Sequence, residues 1–129
     1  MSGLNILVVD DSSVMRRLII RSLDLSGLSI GEVHQAANGQ EALDLLGQKP
    51  VDLAFVDVNM PGMNGEELVE KVRATPAISK LPVIVVSTEG SETRIARLRN
   101  HGARFVHKPF SPASIKGLVA GMLGGAHVV

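Results

Sequence analysis

Three short apolar runs in this chain each stop abruptly at charge. Ile6-Leu7-Val8-Val9 stops at Asp10-Asp11, Leu53-Ala54-Phe55-Val56 at Asp57, and Phe105-Val106-His107 at Lys108-Pro109. Apolar runs this short, rich in β-branched residues, read as strands of a parallel sheet buried on both faces. In an open α/β sheet, ligands lie beyond the carboxyl ends of the strands. The three carboxylates and the lysine are therefore expected along one edge of one sheet.

Strand and helix signals alternate five times. The expected strands are Leu4–Val9, Val33–Ala37, Leu53–Asp57, Pro82–Ser87 and Arg104–His107. Ser12 or Ser13 caps a first helix that runs to about Ser26 and ends at Gly27. Its apolar positions Val14, Leu18, Ile19, Leu23 and Leu25 mostly follow helical spacing. Asn38 caps a second helix containing Ala42, Leu43 and Leu46, and Gly47 stops it. Pro and Gly make 60–65 a loop, and a third helix over Glu66–Ala74 turns Leu68, Val69 and Val72 inward. A fourth helix begins at Ser91 and closes at Gly102. Ser111-Pro112 reads as an N-cap followed by proline at the first helical position, and a fifth helix runs to about Leu123. Strict βα alternation predicts an α/β fold: a doubly wound (βα)5 three-layer sandwich on a five-stranded parallel sheet, with right-handed crossovers.

Composition narrows the function classes. A chain of 129 residues fits one domain and can bury roughly two-thirds of its unfolded surface, so its core needs no staples. The absence of cysteine excludes disulfides and thiolate metal sites and points to a reducing cytoplasm. Thirteen basic and thirteen acidic residues balance, which argues against direct nucleic-acid binding. Phe55, Phe105 and Phe110 are the only aromatics, too few for a base-stacking platform. No signal-peptide pattern opens the chain, and no apolar run approaches the roughly 20 residues that span a bilayer, so membrane insertion is not expected.

Asp10, Asp11 and Asp57 should crowd together. Two carboxylates about 4 Å apart repel by roughly 4 kcal/mol at an effective dielectric of 20. A hard divalent cation, Mg²⁺ or Mn²⁺, offsets that most simply, because it takes oxygen ligands from carboxylates, phosphate and water. Lys108 adds a second positive charge, and Ser87, at the end of the fourth strand, a hydroxyl donor. Together they read as a phosphoryl-transfer site with a carboxylate nucleophile.

Val8-Val9-Asp10-Asp11, Asp57-x-Asn59-Met60-Pro61-x-Met63-x-Gly65, Val86-Ser87 and Lys108-Pro109-Phe110 resemble the receiver domain of two-component response regulators over nearly the whole chain. The resemblance implies the flavodoxin-like strand order 2-1-3-4-5, a receiver domain over 1–124, and a short tail, 125–129, with no output domain. It implies Asp57 as the phosphoacceptor for a histidine kinase or a histidine phosphotransfer protein. Asp11, Asp57 and the Asn59 backbone carbonyl would ligate Mg²⁺, Asp10 would act through water, and Lys108 would contact the phosphoryl group. Ser87 and Phe105 would be a switch pair that reshapes the surface of helix 4, strand 5 and helix 5 for a downstream protein target or a phosphorylation-dependent homodimer. Such a protein is a switch with self-catalysed phosphorylation and autodephosphorylation rather than an enzyme. A phosphorelay intermediate, a phosphate sink and the receiver fragment of a longer regulator share the same residues. The Lys108–Pro109 bond is expected to be cis, although only about 5–6% of X–Pro bonds are.

This chain departs from the pattern in places. Ser87 stands where most relatives have Thr, and Thr88 is bulkier than the usual neighbour, which would narrow access to Asp57. The stretch Gly102-Ala103-Arg104-Phe105 is one residue shorter than in many relatives. Phe105 replaces the commoner Tyr and, lacking a hydroxyl, is expected to favour the buried rotamer. Asn59 and Glu89, both polar, occupy the positions that tune dephosphorylation, which predicts a short-lived phosphoryl state.

Weaker signals complete the pattern. Arg94, Arg97, Arg99 and Arg104 make the fourth-helix region basic, suited to an acidic partner or a dimer mate as readily as to solvent. Arg16 and Arg17 lie close enough in sequence to the site to meet a kinase. Met15 and Met60 read as packing residues. His34, His101, His107 and His127 lack metal-ligand spacing, and the helix dipole accounts for His101. An aspartyl phosphatase of the dehalogenase type wants an Asp-x-Asp pair after the first strand, and this chain has adjacent acids there. A flavodoxin-like cofactor carrier wants a neutral, Gly-rich phosphate loop, which Asp10-Asp11 contradicts.

Overall fold

The computed structural model describes residues 3–58, 60, 62–87, 92–107 and 111–122, without the side chains of Ser87, Glu92, Arg94 and His107. Strands β1 (Leu4–Val9), β2 (Ile30–Ala36), β3 (Leu53–Asp57), β4 (Val83–Ser87) and β5 (Arg104–His107) alternate with helices α1 (Ser13–Leu25), α2 (Gly39–Leu46), α3 (Gly65–Ala74), α4 (Glu92–Asn100) and α5 (Pro112–Met122). The strands form one parallel sheet in the order β2-β1-β3-β4-β5. Successive strand residues point to opposite faces, and the core divides accordingly. Leu4, Ile6, Val8, Leu53, Phe55, Ile84 and Val86 pack under α1 and α5 through Ile19, Leu23, Ile115 and Val119. Leu7, Val9, Ala54, Val56, Val83 and Val85 pack under α2, α3 and α4 through Ala42, Leu46, Leu68, Val69, Val72 and Leu98. The three expected layers are present, and Met15 and Met60 are packing residues as expected.

Register sets the site. Val9 lies level with Val56, and Asp57 with Val86. Asp10 and Asp57 therefore emerge together where β1 and β3 end. All five residues of β3 are buried, including the aspartate.

Helix starts are fixed by side-chain caps, each of which satisfies a backbone N–H the helix leaves open. Of the two candidate serines, Ser12 caps α1, its hydroxyl accepting from Met15 N–H at 3.2 Å. Asn38 caps α2. Asn64 and Glu67 form a reciprocal capping box on α3, so that helix starts at Gly65, one residue before the expected Glu66. Ser111 and Ser114 exchange hydroxyl–amide bonds at the start of α5. At the far end of α4, Gly102 takes φ +78°. Its N–H donates to Arg99 C=O and Ala103 N–H to Leu98 C=O, the paired bonds of a Schellman stop.

One expectation fails for a physical reason. β2 begins at Ile30, three residues before Val33. It is an edge strand whose Gly31 and Glu32 are exposed, so no apolar run announces it, and Asn5 Oδ1 accepts from Glu32 N–H beside the register shift between Leu4 and Ile6. On α1, only Ile19 and Leu23 of the five apolar positions are buried. Val14, Leu18 and Leu25 face solvent. Ser91 and residues 123–129 lie outside the described residues. Among the described residues no helix is long and apolar enough to cross a membrane.

Candidate functional site

Asp10, Asp11 and Asp57 converge at the carboxyl edge of the sheet. One carboxylate oxygen from each lies within 4.8 Å of the others, the one such acidic or histidine grouping among the described residues. Asp10 is 1% exposed and Asp57 6%, while Asp11 faces solvent. Asp10 Oδ1 accepts from Ser12 N–H at 2.9 Å, which ties the first carboxylate to the α1 cap. Three carboxylates this close, two of them buried, repel one another unless positive charge intervenes. Their donor set is all hard oxygen, which suits Mg²⁺ or Mn²⁺ and not a soft metal.

Close backbone packing holds the end of β3 at Asp57. Gly65 N–H donates to Val58 C=O at 3.1 Å. A Cβ on Gly65 would lie 2.5 Å from Asp57 O and 2.7 Å from Val58 Cα. Only glycine lets the α3 N-terminus come so near Asp57. A Cβ on Gly39, at the start of α2, would likewise meet the Met63 side chain at 2.6 Å.

Arg16 is half-buried rather than free to reach outward. Its Nη1 donates to Asp10 C=O at 2.6 Å and its Nε to Gln35 Oε1 at 2.9 Å. It buttresses β1 against β2 below the acidic site. Arg17 is exposed.

The basic helix-4 region is less uniform than its sequence suggests. Arg97 Nε donates to Glu66 Oε2 at 2.5 Å, across to α3, and the hydrogen bond to Glu66 raises its pKa above the ordinary guanidinium value. Arg99 and Arg104 are exposed. They border a surface hollow of about 490 Å³ with Gly102, Ala103, Phe105 and Leu118. Phe105 is half-buried, not buried: it packs on the core beside β4 and also lines that hollow.

Ser87 closes β4 level with His107, but its side chain is among those not described. Asn59, Thr88, Glu89, Lys108, Pro109 and Phe110, and the side chain of Arg94, also lie outside the described residues. The His34 side chain lies 3.6 Å from Glu32 and that of His101 3.8 Å from Glu70.

Sequence reasoning missed Arg73 and Glu66. Arg73 donates from Nε to His101 C=O and from Nη1 to Leu81 C=O (2.6 Å) and Ser79 C=O (3.2 Å), joining α3 to the start of β4 and the end of α4. Burial holds its pKa below the usual guanidinium value. No local motif announces these contacts, because the carbonyls belong to two connections distant in sequence, the one before β4 and the one after α4.

Residues 6–120 match the response regulator receiver domain family. The chain is 41% identical over 123 residues to a chemotaxis protein CheY homolog from Campylobacter jejuni, covering 94% of this chain and 93% of that protein. It is 37% identical to chemotaxis protein CheY1 of Helicobacter pylori, over 94% and 98% of the two chains. The structure of Vibrio cholerae CheY4 superposes with a TM-score of 0.81 at 32% identity, over 92% of this chain and 97% of that one.

Proposed function

The chain belongs to the response regulator receiver family, and from that premise we propose that Asp57 accepts a phosphoryl group from a histidine kinase or a histidine phosphotransfer protein. The observation that carries the proposal is the buried Asp57 carboxylate clustered with those of Asp10 and Asp11. In the transfer, a carboxylate oxygen of Asp57 bonds to phosphorus as the P–N bond to the donor imidazole breaks, and the imidazole leaves with the electron pair.

Asp10, Asp11, Asp57 and the Asn59 carbonyl would hold Mg²⁺ or Mn²⁺. When bound, the ion supplies neutralisation of charge on the phosphoryl oxygens. Lys108 would neutralise another of those oxygens. The Ser87 hydroxyl would move toward the phosphoryl group, and Phe105 into the space behind it. The surface of α4, β5 and α5 would then present a changed face to a target protein. The chain acts in the cytoplasm as a switch rather than as an enzyme on external substrates, and residues 1–124 form the receiver.

Intact-mass spectrometry after incubation with acetyl phosphate tests this directly. One adduct that requires Mg²⁺ and is missing in Asp57→Asn supports the proposal. An adduct that persists in Asp57→Asn, or no adduct with either acetyl phosphate or a histidine kinase, refutes it.

A further inference from the structure

Helix α4 is held differently from its neighbours. Among its described side chains only Leu98 is buried, whereas α3 buries Leu68, Val69 and Val72. A polar ladder from α3 supplies the remaining hold. Glu66 and Glu70, one turn apart on α3, face Arg97 in the last turn of α4 and His101 just beyond its end. Both rungs share an offset of 31 residues, as two helices running in the same direction require. Arg97 meets both Glu66 oxygens, at 2.5 and 3.3 Å. His101 Nε2 lies 3.8 Å from Glu70 Oε2, an ionic contact when the imidazole is protonated. Arg73 adds a third tie through His101 C=O.

The foot of this ladder rests on the acidic site. Glu66 directly follows Gly65, the residue packed on the Asp57 carbonyl and bonded to Val58. A displacement of the backbone at Asp57 is therefore passed to Glu66 through one residue. A carboxylate in the first turn of α3 would suit the helix dipole wherever it pointed. The N-terminus is already served by Glu67 through the capping box, however. Glu66 instead turns toward α4, its side chain 13% exposed while that of Arg97 is 54% exposed, so the pair is open to water on the α4 side and is weak enough to be opened.

We propose that the ladder is a latch: it holds α4 against α3 in the resting arrangement, and phosphorylation of Asp57 opens it, releasing α4 together with the Arg97 charge. The coupling rests on the reading of Asp57 as phosphoacceptor. By linkage, a contact that favours the resting arrangement opposes phosphorylation to the same extent that phosphorylation weakens the contact.

The test combines amide hydrogen exchange with acetyl phosphate labelling in wild type, Glu66→Gln and Arg97→Gln. In both variants α4 amides exchange roughly three- to tenfold faster, with α1 and α5 unchanged, and the final ratio of labelled to unlabelled Asp57 at a fixed acetyl phosphate concentration rises about two- to threefold. The swap of Glu66→Arg with Arg97→Glu returns α4 exchange toward wild type. Unchanged α4 exchange in both single variants overturns the latch, as does acceleration spread equally over all helices. Faster α4 exchange with an unchanged or lower final labelled ratio overturns its coupling to Asp57. If wild type itself takes no label, the phosphoacceptor reading and the coupling fail together, and the exchange data alone decide whether the ladder clamps α4.

Discussion

Helices α3 and α4 lie on the same face of the sheet and run in the same direction, yet they are secured by different physics. α3 has a capping box, three buried aliphatic side chains and a glycine set against the Asp57 backbone. α4 has one buried leucine among its described side chains and a polar ladder. Buried apolar area stabilises by roughly 25 cal/mol per Å² and is not screened by counterions. Ion pairs near the surface are weaker and can exchange partners. On the proposed reading the difference assigns work: α3 would hold Asp57 in place, and α4 would be the element that a small change at Asp57 can move.

The comparison is broken most directly in its two leucines. Leu68→Ala in α3 should cost about 3 kcal/mol of global stability in urea unfolding, the usual loss for a buried leucine. Leu98→Ala in α4 should cost less, about 2 kcal/mol, with hydrogen exchange rising first in α4. Equal global losses would mean that α4 is as firmly built in as α3. Gly65→Ala forces a Cβ against backbone that cannot yield. It should cost about 2 kcal/mol and slow Asp57 labelling, whereas Gly121→Ala in α5, where a Cβ meets open space, should leave labelling unchanged and raise stability by up to about 1 kcal/mol. Asn64→Ala removes the α3 cap and should lower stability by about 1 kcal/mol without altering α4 exchange. Asp11→Asn relieves repulsion in the acidic cluster and should raise stability in metal-free buffer by about 1 kcal/mol. Saturating Mg²⁺ should abolish or reverse that gain, because an ion that binds the folded state stabilises wild type more.

The sequence announces the two regions unequally. β1 and β3 are buried on both faces, so uninterrupted apolar runs mark them, and the charges that end those runs mark Asp10, Asp11 and Asp57. β2 borders solvent and carries Gly31 and Glu32, so its first half has no such signal. The cap of α3 is legible as Asn64-x-x-Glu67, the spacing of a capping box. The outward face of α1 was not legible: Val14, Leu18 and Leu25 keep helical spacing but lie away from Ile19 and Leu23, and spacing alone does not say which face the sheet covers. Arg73 and the Glu66–Arg97 pair depend on how α3 and α4 are set side by side, which no local pattern encodes.

The most direct test of this division of labour is hydrogen exchange on the wild-type chain with and without Mg²⁺ and acetyl phosphate, with Asp57→Asn as control. Phosphorylation should alter exchange in α4 and β5 while leaving β1, α1 and the body of α3 as they were, and the control should show no change. Exchange altered chiefly in α1 or α3, or altered equally in Asp57→Asn, would contradict the account.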